Sequence, residues 1–325
     1  MTVTEILAAI PQLSALVVGD ICLDRWCTYD PATSEPSRET GIPRIGIVRA
    51  EATAGAGGTV ASNLAALGCR RVAVLGAIGN DGFGLELSRA LAAHGIADLC
   101  IRADSMQTFT YTKVINGDTG VEDQPRLDFI NTTPLDTAVE QQILDSLRQV
   151  VDDFEVIIVS DQAETSRGGV VTPAVRSLLG DLALAHPTKI FFADSRARIH
   201  HFRNVIAKPN QQEGEAACQR LFGRVDYSAL RLHLSAPLLM VTHGDIGVLV
   251  FDEHSETWVR TQPVEHPVDI CGAGDSFSAG TALALAAGAT PAEAAQFGNI
   301  VASITIMKKG TGTASPQEVR QQCKS

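Results

Sequence analysis

Asp275 lies in the run Asp269-Ile-Cys-Gly-Ala-Gly-Asp-Ser-Phe-Ser-Ala-Gly280, one carboxylate among the glycines 272, 274 and 280. Residues 281–288 continue it as a small-residue stretch that reads as buried helix. A Gly-Ala-Gly turn feeding a helix start leaves amide N–H groups unpaired at the positive end of the helix dipole, a geometry that binds anions. An aspartate in such a turn repels the phosphate that the turn attracts. The conflict resolves if Asp275 is a general base. It would take a proton from a hydroxyl attacking a phosphorus held by the amides of Gly272, Ala273 and Gly274. The same residues also fit a helix N-cap, where aspartate is favoured.

Other groups could hold what is phosphorylated. Gly19-Asp-Ile-Cys-Leu-Asp24 closes the first apolar run, which places Asp20 and Asp24 at the edge of a sheet where α/β folds bind ligands. An ionised Asp24 would accept hydrogen bonds from hydroxyls, or cap a turn, or pair with Arg25. Gly55-Ala-Gly57-Gly58-Thr59 permits close backbone approach to a ligand, and Asn63 could bond a hydroxyl. The glycines equally fit a turn and Asn63 a helix-packing residue. Gly76-Ala-Ile-Gly-Asn-Asp-Gly-Phe-Gly84 lacks the G-x-G-x-x-G spacing, and no G-x-x-x-x-G-K-[ST] occurs, so dinucleotide and P-loop readings fail. His200-His201 has no third ligand at metal spacing.

The elements that must position these groups follow from hydrophobic periodicity. Residues 15–19, 72–76, 156–160, 189–194, 205–207, 238–242 and 248–251 read as strands. Helical patterns at 59–67, 85–94, 137–150 and 173–185 fall among them, with Gly95 as a C-cap. Apolar strands separated by helices predict an α/β fold with a mainly parallel central sheet flanked by helices. Residues 43–48, 108–115 and 126–130 alternate instead, with turn chemistry at 116–120. They predict a small antiparallel β lid inserted at about 25–50 and 107–131 of a single domain spanning 1–325. Lys113 and Arg126 on lid strands could reach an anionic substrate, or merely solvate the surface. Apolar lid positions predict a homodimer paired through the lid.

Composition limits the alternatives. The chain has 325 residues, 45% hydrophobic and 19% charged, with ample length for a large core. A net charge of −11 without a Lys/Arg run argues against a nucleic-acid partner. The seven cysteines are odd in number and scattered without C-x-x-C, which predicts neither disulfides nor a zinc site. Cys271, beside the turn, is either reactive or a small packed residue. No stretch reads as a signal peptide or a membrane span, so a cytoplasmic protein without a membrane partner is expected.

The twelve residues from Asp269 to Gly280 resemble the C-terminal signature of the PfkB/ribokinase family of carbohydrate kinases. The resemblance implies a ribokinase-like fold, with Asp275 as catalytic base and the preceding amides as anion hole. The Gly-Gly segment with its Asn63-bearing helix is similar to the family's N-terminal signature, with Thr59 where an Asn is expected. Lys208-Pro-Asn210-Gln-Gln-Glu213 resembles the family's N-x-x-E motif, which implies water organised around Mg²⁺ by Asn210 and Glu213. A capping box is the competing reading. Thr242-His-Gly244-Asp-Ile-Gly247 resembles the nucleotide-binding turn, with a hairpin turn as the alternative. Asn299 and Lys309-Gly310-Thr311 lie where the family closes its adenine pocket, and Arg196 is a candidate phosphate contact. The implied cofactors are ATP and Mg²⁺, with a monovalent cation left open.

Within the family the chain looks most like the heptose-phosphate kinase subgroup, which makes an intermediate for ADP-heptose. Gly19-Asp-Ile-Cys-Leu-Asp-Arg-Trp26, Ser37-Arg-Glu-Thr-Gly-Ile-Pro43, Thr112-Lys113-Val-Ile115 and Arg126-Leu-Asp-Phe129 carry that likeness. Ser160-Asp161-Gln-Ala-Glu164 departs from it, replacing a more basic, Gly-rich segment. The implied activity is transfer of the ATP γ-phosphate to a sugar or sugar phosphate, heptose 7-phosphate being favoured. A kinase of another sugar or nucleoside, and a non-catalytic sugar- or nucleotide-binding regulator, are the rivals.

Overall fold

In the computed structural model, which describes residues 1–163, 165 and 167–323, the first strand, β1 (Ser14–Gly19), is buried along its whole length. Ala15 and Val17 enter one hydrophobic core, Leu16 and Val18 another. A strand apolar on both faces needs helices on both. The first half of the chain continues with β2 (Ile21–Tyr29), β3 (Glu35–Pro36), β4 (Pro43–Arg44), β5 (Ile47–Ala56), β6 (Arg71–Leu75), β7 (Ala77–Gly79), β8 (Ala97–Asp98), β9 (Ile101–Ala103), β10 (Thr110–Asn116) and β11 (Leu127–Phe129). The second half carries β12 (Val156–Asp161), β13 (Ile190–Ser195), β14 (Ile206–Ala207), β15 (Leu239–Thr242), β16 (Gly247–Phe251) and β17 (Glu256–Arg260).

The helices are α1 (Val3–Ala9), α2 (Gly57–Ala66), α3 (Gly82–Ala93), α4 (Thr137–Val150), α5 (Pro173–Ala185), α6 (Gln211–Phe222), α7 (Tyr227–Leu234), α8 (Ala273–Ala286), α9 (Pro291–Thr305) and α10 (Pro316–Gln322). Among the described residues no helix is long and apolar enough to cross a membrane.

The central sheet has the order β17-β16-β15-β14-β13-β12-β1-β6-β8. From β8 to β15 neighbours run parallel, and β16 and β17 close the sheet antiparallel. Helix α4 shows why the layers form. Asp136 caps its N-terminus through the Ala138 amide, and Val139, Ile143 and Leu147 recur at helical spacing and are buried. They join Val175 and Leu179 of α5 and Leu230 and Leu234 of α7 against one face of the sheet. Val60 and Leu64 of α2, Phe277 and Leu283 of α8, and Phe297 and Val301 of α9 cover the other.

A second sheet, ordered β11-β10-β2-β5, forms the lid. It is mixed rather than antiparallel. Pairs β2–β5 and β10–β11 are antiparallel, but β10 lies parallel to β2 with Tyr111 opposite Asp24 and Lys113 opposite Trp26. Both strands leave the central body in the same direction, and a parallel pair is what two outward excursions make. The lid also begins earlier and ends later than expected, at Ile21 and Ala56 in its first excursion. Asp24 therefore belongs to a lid strand, not to the edge of the central sheet.

Candidate active site

Helix α8 starts from Gly272, whose φ of +79° only glycine adopts cheaply. A Cβ there would also lie 3.1 Å from Thr59 Cγ2. Ala273, Gly274 and Asp275 form the first turn. Among the described residues no side chain caps this end, so Asp275 is not the N-cap but the third helical residue. Ala273 directs its amide to the Ile270 carbonyl at 3.3 Å, and so takes no part in an open anion hole in this geometry. The turn before the helix is braced by Asp269, which accepts the amides of Cys271 at 2.9 Å and Gly310 at 3.2 Å.

Beneath this turn lies a buried ion pair. Lys208 Nζ sits 2.7 Å from Asp194 Oδ2, and both side chains are nearly inaccessible. The ammonium is 3.3 Å from where a Cβ on Gly274 would stand, which puts a positive charge directly under the glycine turn. Burial opposes the charge on Lys208, but Asp194, with Glu213 and Asp275, outweighs it and holds the pKa above the ordinary lysine value. Burial and the Asp194 carboxylate push Asp275 up to about 7, while Lys208 pulls it down. A carboxylate poised near neutrality suits a general base.

Asp24 faces the same space from β2. Burial pushes it up to about 6, against the Cys22 thiol at 3.8 Å and the charges of Lys113 and Arg126. Gly55, its neighbour on β5, is there for Asp24: a Cβ would fall 2.4 Å from the carboxylate. Asp24 and Asp275 line one cavity of about 190 Å³. Lys113, Arg126 and Arg196 bring positive charge to it, Trp26 and Tyr111 bring aromatic surface, and Gln162, Thr59 and Thr311 bring neutral polar groups. The Arg126 guanidinium is 5.4 Å from the Tyr111 ring centroid and ion-paired with Asp128 at 2.6 Å. Cys271 also lines the cavity, but burial and the nearby Asp24 charge raise its thiol pKa, which disfavours the reactive thiolate.

The other expected residues divide. Gly57 and Gly58 make no ligand-sized opening; added Cβ atoms would strike Ile21 Cδ1 at 2.6 Å and Ala54 Cβ at 2.5 Å. They let α2 start directly from β5, through Ala56 at φ +51°. Asn63 is fully buried behind the cavity, with its amide on the carbonyls of Thr59 and Gly312. Asn210 and Glu213 form a reciprocal capping box at the start of α6, at 2.9 and 2.8 Å. Thr242, Gly244 and Gly247 make the tight connection between β15 and β16, with φ of +59° and +118° at the glycines. Asn299 lies with Thr261, Gln262 and Ser303 along a separate groove. Gly310 packs under Trp26 of the lid, and Lys309 is exposed. Glu164 lies outside the described residues.

The sequence reading gave no role to Lys208, Asp269 and Trp26, although its motifs contain them, nor to Asp194 at the end of a predicted strand. For Lys208 the available signal was a lysine ending the apolar run 205–207. Among the described residues no three His, Cys, Asp or Glu side chains form a metal cage. Yet burial and the Asp194 charge raise Glu213, burial and Asp194 also raise Asp275, and Lys208 and Arg196 oppose both, so three carboxylates meet two cations here. That excess fits a hydrated cation accompanying phosphates, held through water.

Residues 16–318 match the pfkB family carbohydrate kinase profile. The chain is 30% identical over 318 residues to the bifunctional protein HldE of Trichlorobacter lovleyi, covering 94% of this chain and 62% of that protein. With HldE of Geobacter metallireducens it shares 30% over 335 residues, covering 98% and 64%. The chain thus spans less than two thirds of these curated relatives. The crystal structure of ribokinase from Thermotoga maritima superposes with a TM-score of 0.69 at 22% identity, covering 96% of this chain and all of that one. Phosphofructokinase-2 from Escherichia coli, in complex with potassium, gives 0.72 at 20% identity, covering 95% and 97%. Their fold is the fold found here.

Proposed function

The chain belongs to the pfkB family of carbohydrate kinases, and on that premise we propose that it transfers the γ-phosphate of ATP to a hydroxyl of a sugar phosphate, heptose 7-phosphate foremost. The observation that carries the reading is the cavity itself. It joins a carboxylate raised to about 7, a second carboxylate at Asp24, and the three cations Lys113, Arg126 and Arg196. Asp24 holds sugar hydroxyls and sets the acceptor beside Asp275. Asp275 takes the proton as the oxygen attacks. The open start of α8 and the buried Lys208 stabilise the charge gathering on the transferring group. Lys113 and Arg126 receive the phosphate the sugar already carries, since two cations facing a neutral sugar would gain little.

Thr242, Gly244 and Gly247 with Asn299, Lys309 and Gly310 are proposed to hold the nucleotide. Magnesium, held through water by Asn210 and Glu213, would screen the phosphate charges when bound. The likeness of residues 19–26, 37–43, 112–115 and 126–129 to the heptose-phosphate kinase subgroup, together with the HldE relatives, supports a heptose phosphate as substrate.

ADP release with Mg-ATP over a panel of sugars and sugar phosphates tests this, with product mass confirmed and potassium and sodium salts compared. Turnover of heptose 7-phosphate is expected. Lys113→Ala and Arg126→Ala should each raise its KM about tenfold, the loss of one charged contact, and spare the KM for ATP. Faster turnover of an unphosphorylated sugar or a nucleoside would overturn the substrate assignment.

A further inference from the structure

Asp20 is a buried carboxylate that the proposed chemistry does not use. It separates β1 from the first lid strand and is 3% exposed. Its Oδ2 accepts the amides of Gln162 and Ala163, both at 2.8 Å, and its Oδ1 accepts the amide of Val170 at 2.7 Å. The three donors lie near the two ends of the connection from β12 to α5. A second buried carboxylate braces the same connection. Asp161 accepts the Ser195 hydroxyl at 2.6 Å and pairs with Arg198 at 2.5 Å. Arg198 then donates to the carbonyls of Ala163 and Thr165, at 3.1 and 3.2 Å.

Both carboxylates are buried, among the described residues Arg198 pairs with Asp161 alone, and burial and the Asp161 charge push Asp20 up to about 6. Such an arrangement costs stability unless every lone pair is used. The three amides use those of Asp20 to fix backbone. Neither Asp20 nor Asp161 lines the cavity, but Gln162 does, beside Asp24, Lys113 and Asp275.

We propose that Asp20 is a positioning residue that fixes the backbone at Gln162, Ala163 and Val170, and that Gln162, so placed, is a specificity-determining contact whose neutral amide reads a hydroxyl of the sugar. The inference rests on the sugar-kinase reading above. It concerns the part of the chain where Gln162-Ala163-Glu164 departs from the heptose-phosphate kinase pattern.

Asp20→Asn removes one of two acceptor oxygens and turns an NH2 toward backbone N–H groups. It should raise the KM for the sugar about tenfold with kcat and the KM for ATP within about twofold. Gln162→Ala should show the same signature with an unchanged Tm. Because Gln162 acts through its placement by Asp20, the double variant should be no worse than the worse single variant. An unchanged sugar KM in Gln162→Ala overturns the contact. A parallel loss in kcat and both KM values in Asp20→Asn, tracking its Tm, makes Asp20 structural only.

Amide hydrogen exchange separates this inference from the reading beneath it. Exchange at Gln162, Ala163 and Val170 should accelerate in Asp20→Asn whether or not any sugar is turned over. Unchanged exchange overturns the positioning role even in an active kinase. An inactive wild type with accelerated exchange supports that role and sinks the kinase reading alone.

Discussion

Asp275 must be ionised to take a proton, and its environment resists ionisation. With its pKa raised to about 7, the ionised fraction falls about tenfold for each pH unit below that value. We expect kcat/KM for the sugar to rise with pH to a plateau above about 7, and a profile flat from pH 5 to 8 would sink the assignment of the base. Asp275→Asn should cost about a hundred- to ten-thousandfold in turnover while nucleotide binding persists. The sign for stability is opposite to that for activity. A carboxylate raised in the folded state destabilises as pH climbs from its unfolded value through its folded one. The Asn variant should therefore melt no lower than wild type at pH 8, as calorimetry would read. Lys208 pulls the Asp275 pKa down, so Lys208→Met should move the acidic limb to higher pH. It should also cost about 3–5 kcal/mol of stability, because Asp194 is left buried without its partner.

At the scale of the element, Gly55 on β5 leaves the room that the Asp24 carboxylate on β2 occupies. Gly55→Ala should push Asp24 off its position, raising the KM for the sugar on the order of tenfold with less effect on kcat. Steady-state kinetics at saturating ATP would show it; an unchanged sugar KM would remove Asp24 from the substrate contacts. The sequence pointed to these glycines for a different reason, close approach to a ligand, because a missing side chain does not announce which neighbour fills its space. Elsewhere local pattern sufficed. Helices α4 and α5 have the bounds that apolar periodicity predicted, 137–150 and 173–185. The start of α8 was legible because three glycines around a carboxylate have few physical uses. The parallel pairing of β2 with β10 was not, since the partners lie more than eighty residues apart and alternation fixes a face, not a neighbour. Lys208 and Asp194 stand close in the chain but meet only because β13 and β14 are adjacent, which local pattern does not reveal. Asn63 was legible as a polar residue near the site, but not as a fully buried one whose amide donates to the Thr59 and Gly312 carbonyls.

The whole molecule carries a net charge of −11, yet its lid exposes Ile42, Val48, Val121 and Leu127, each more than half accessible. Val48 and Leu127 lie on β5 and β11, the two edge strands of the lid sheet, with Ile42 and Val121 in its connections, and apolar residues at open sheet edges favour a partner. A second copy paired lid to lid would cover them through one self-complementary contact. Sedimentation of the wild type should show a dimer, and Val48→Lys with Leu127→Lys should shift it to monomer. A wild type that stays monomeric at about 50 μM, well above the μM dissociation constants at which a weak interface still holds, would sink the pairing. Assembly and affinity should then be linked. Asp24 and Trp26 lie on β2 and Lys113 on β10, in the sheet that would be paired. A lid without its partner has more freedom to lose when it closes on the sugar, and that entropy subtracts from binding. The monomeric variant should accordingly show a higher KM for the sugar, with the KM for ATP unchanged, because the turns proposed to hold the nucleotide lie outside the lid.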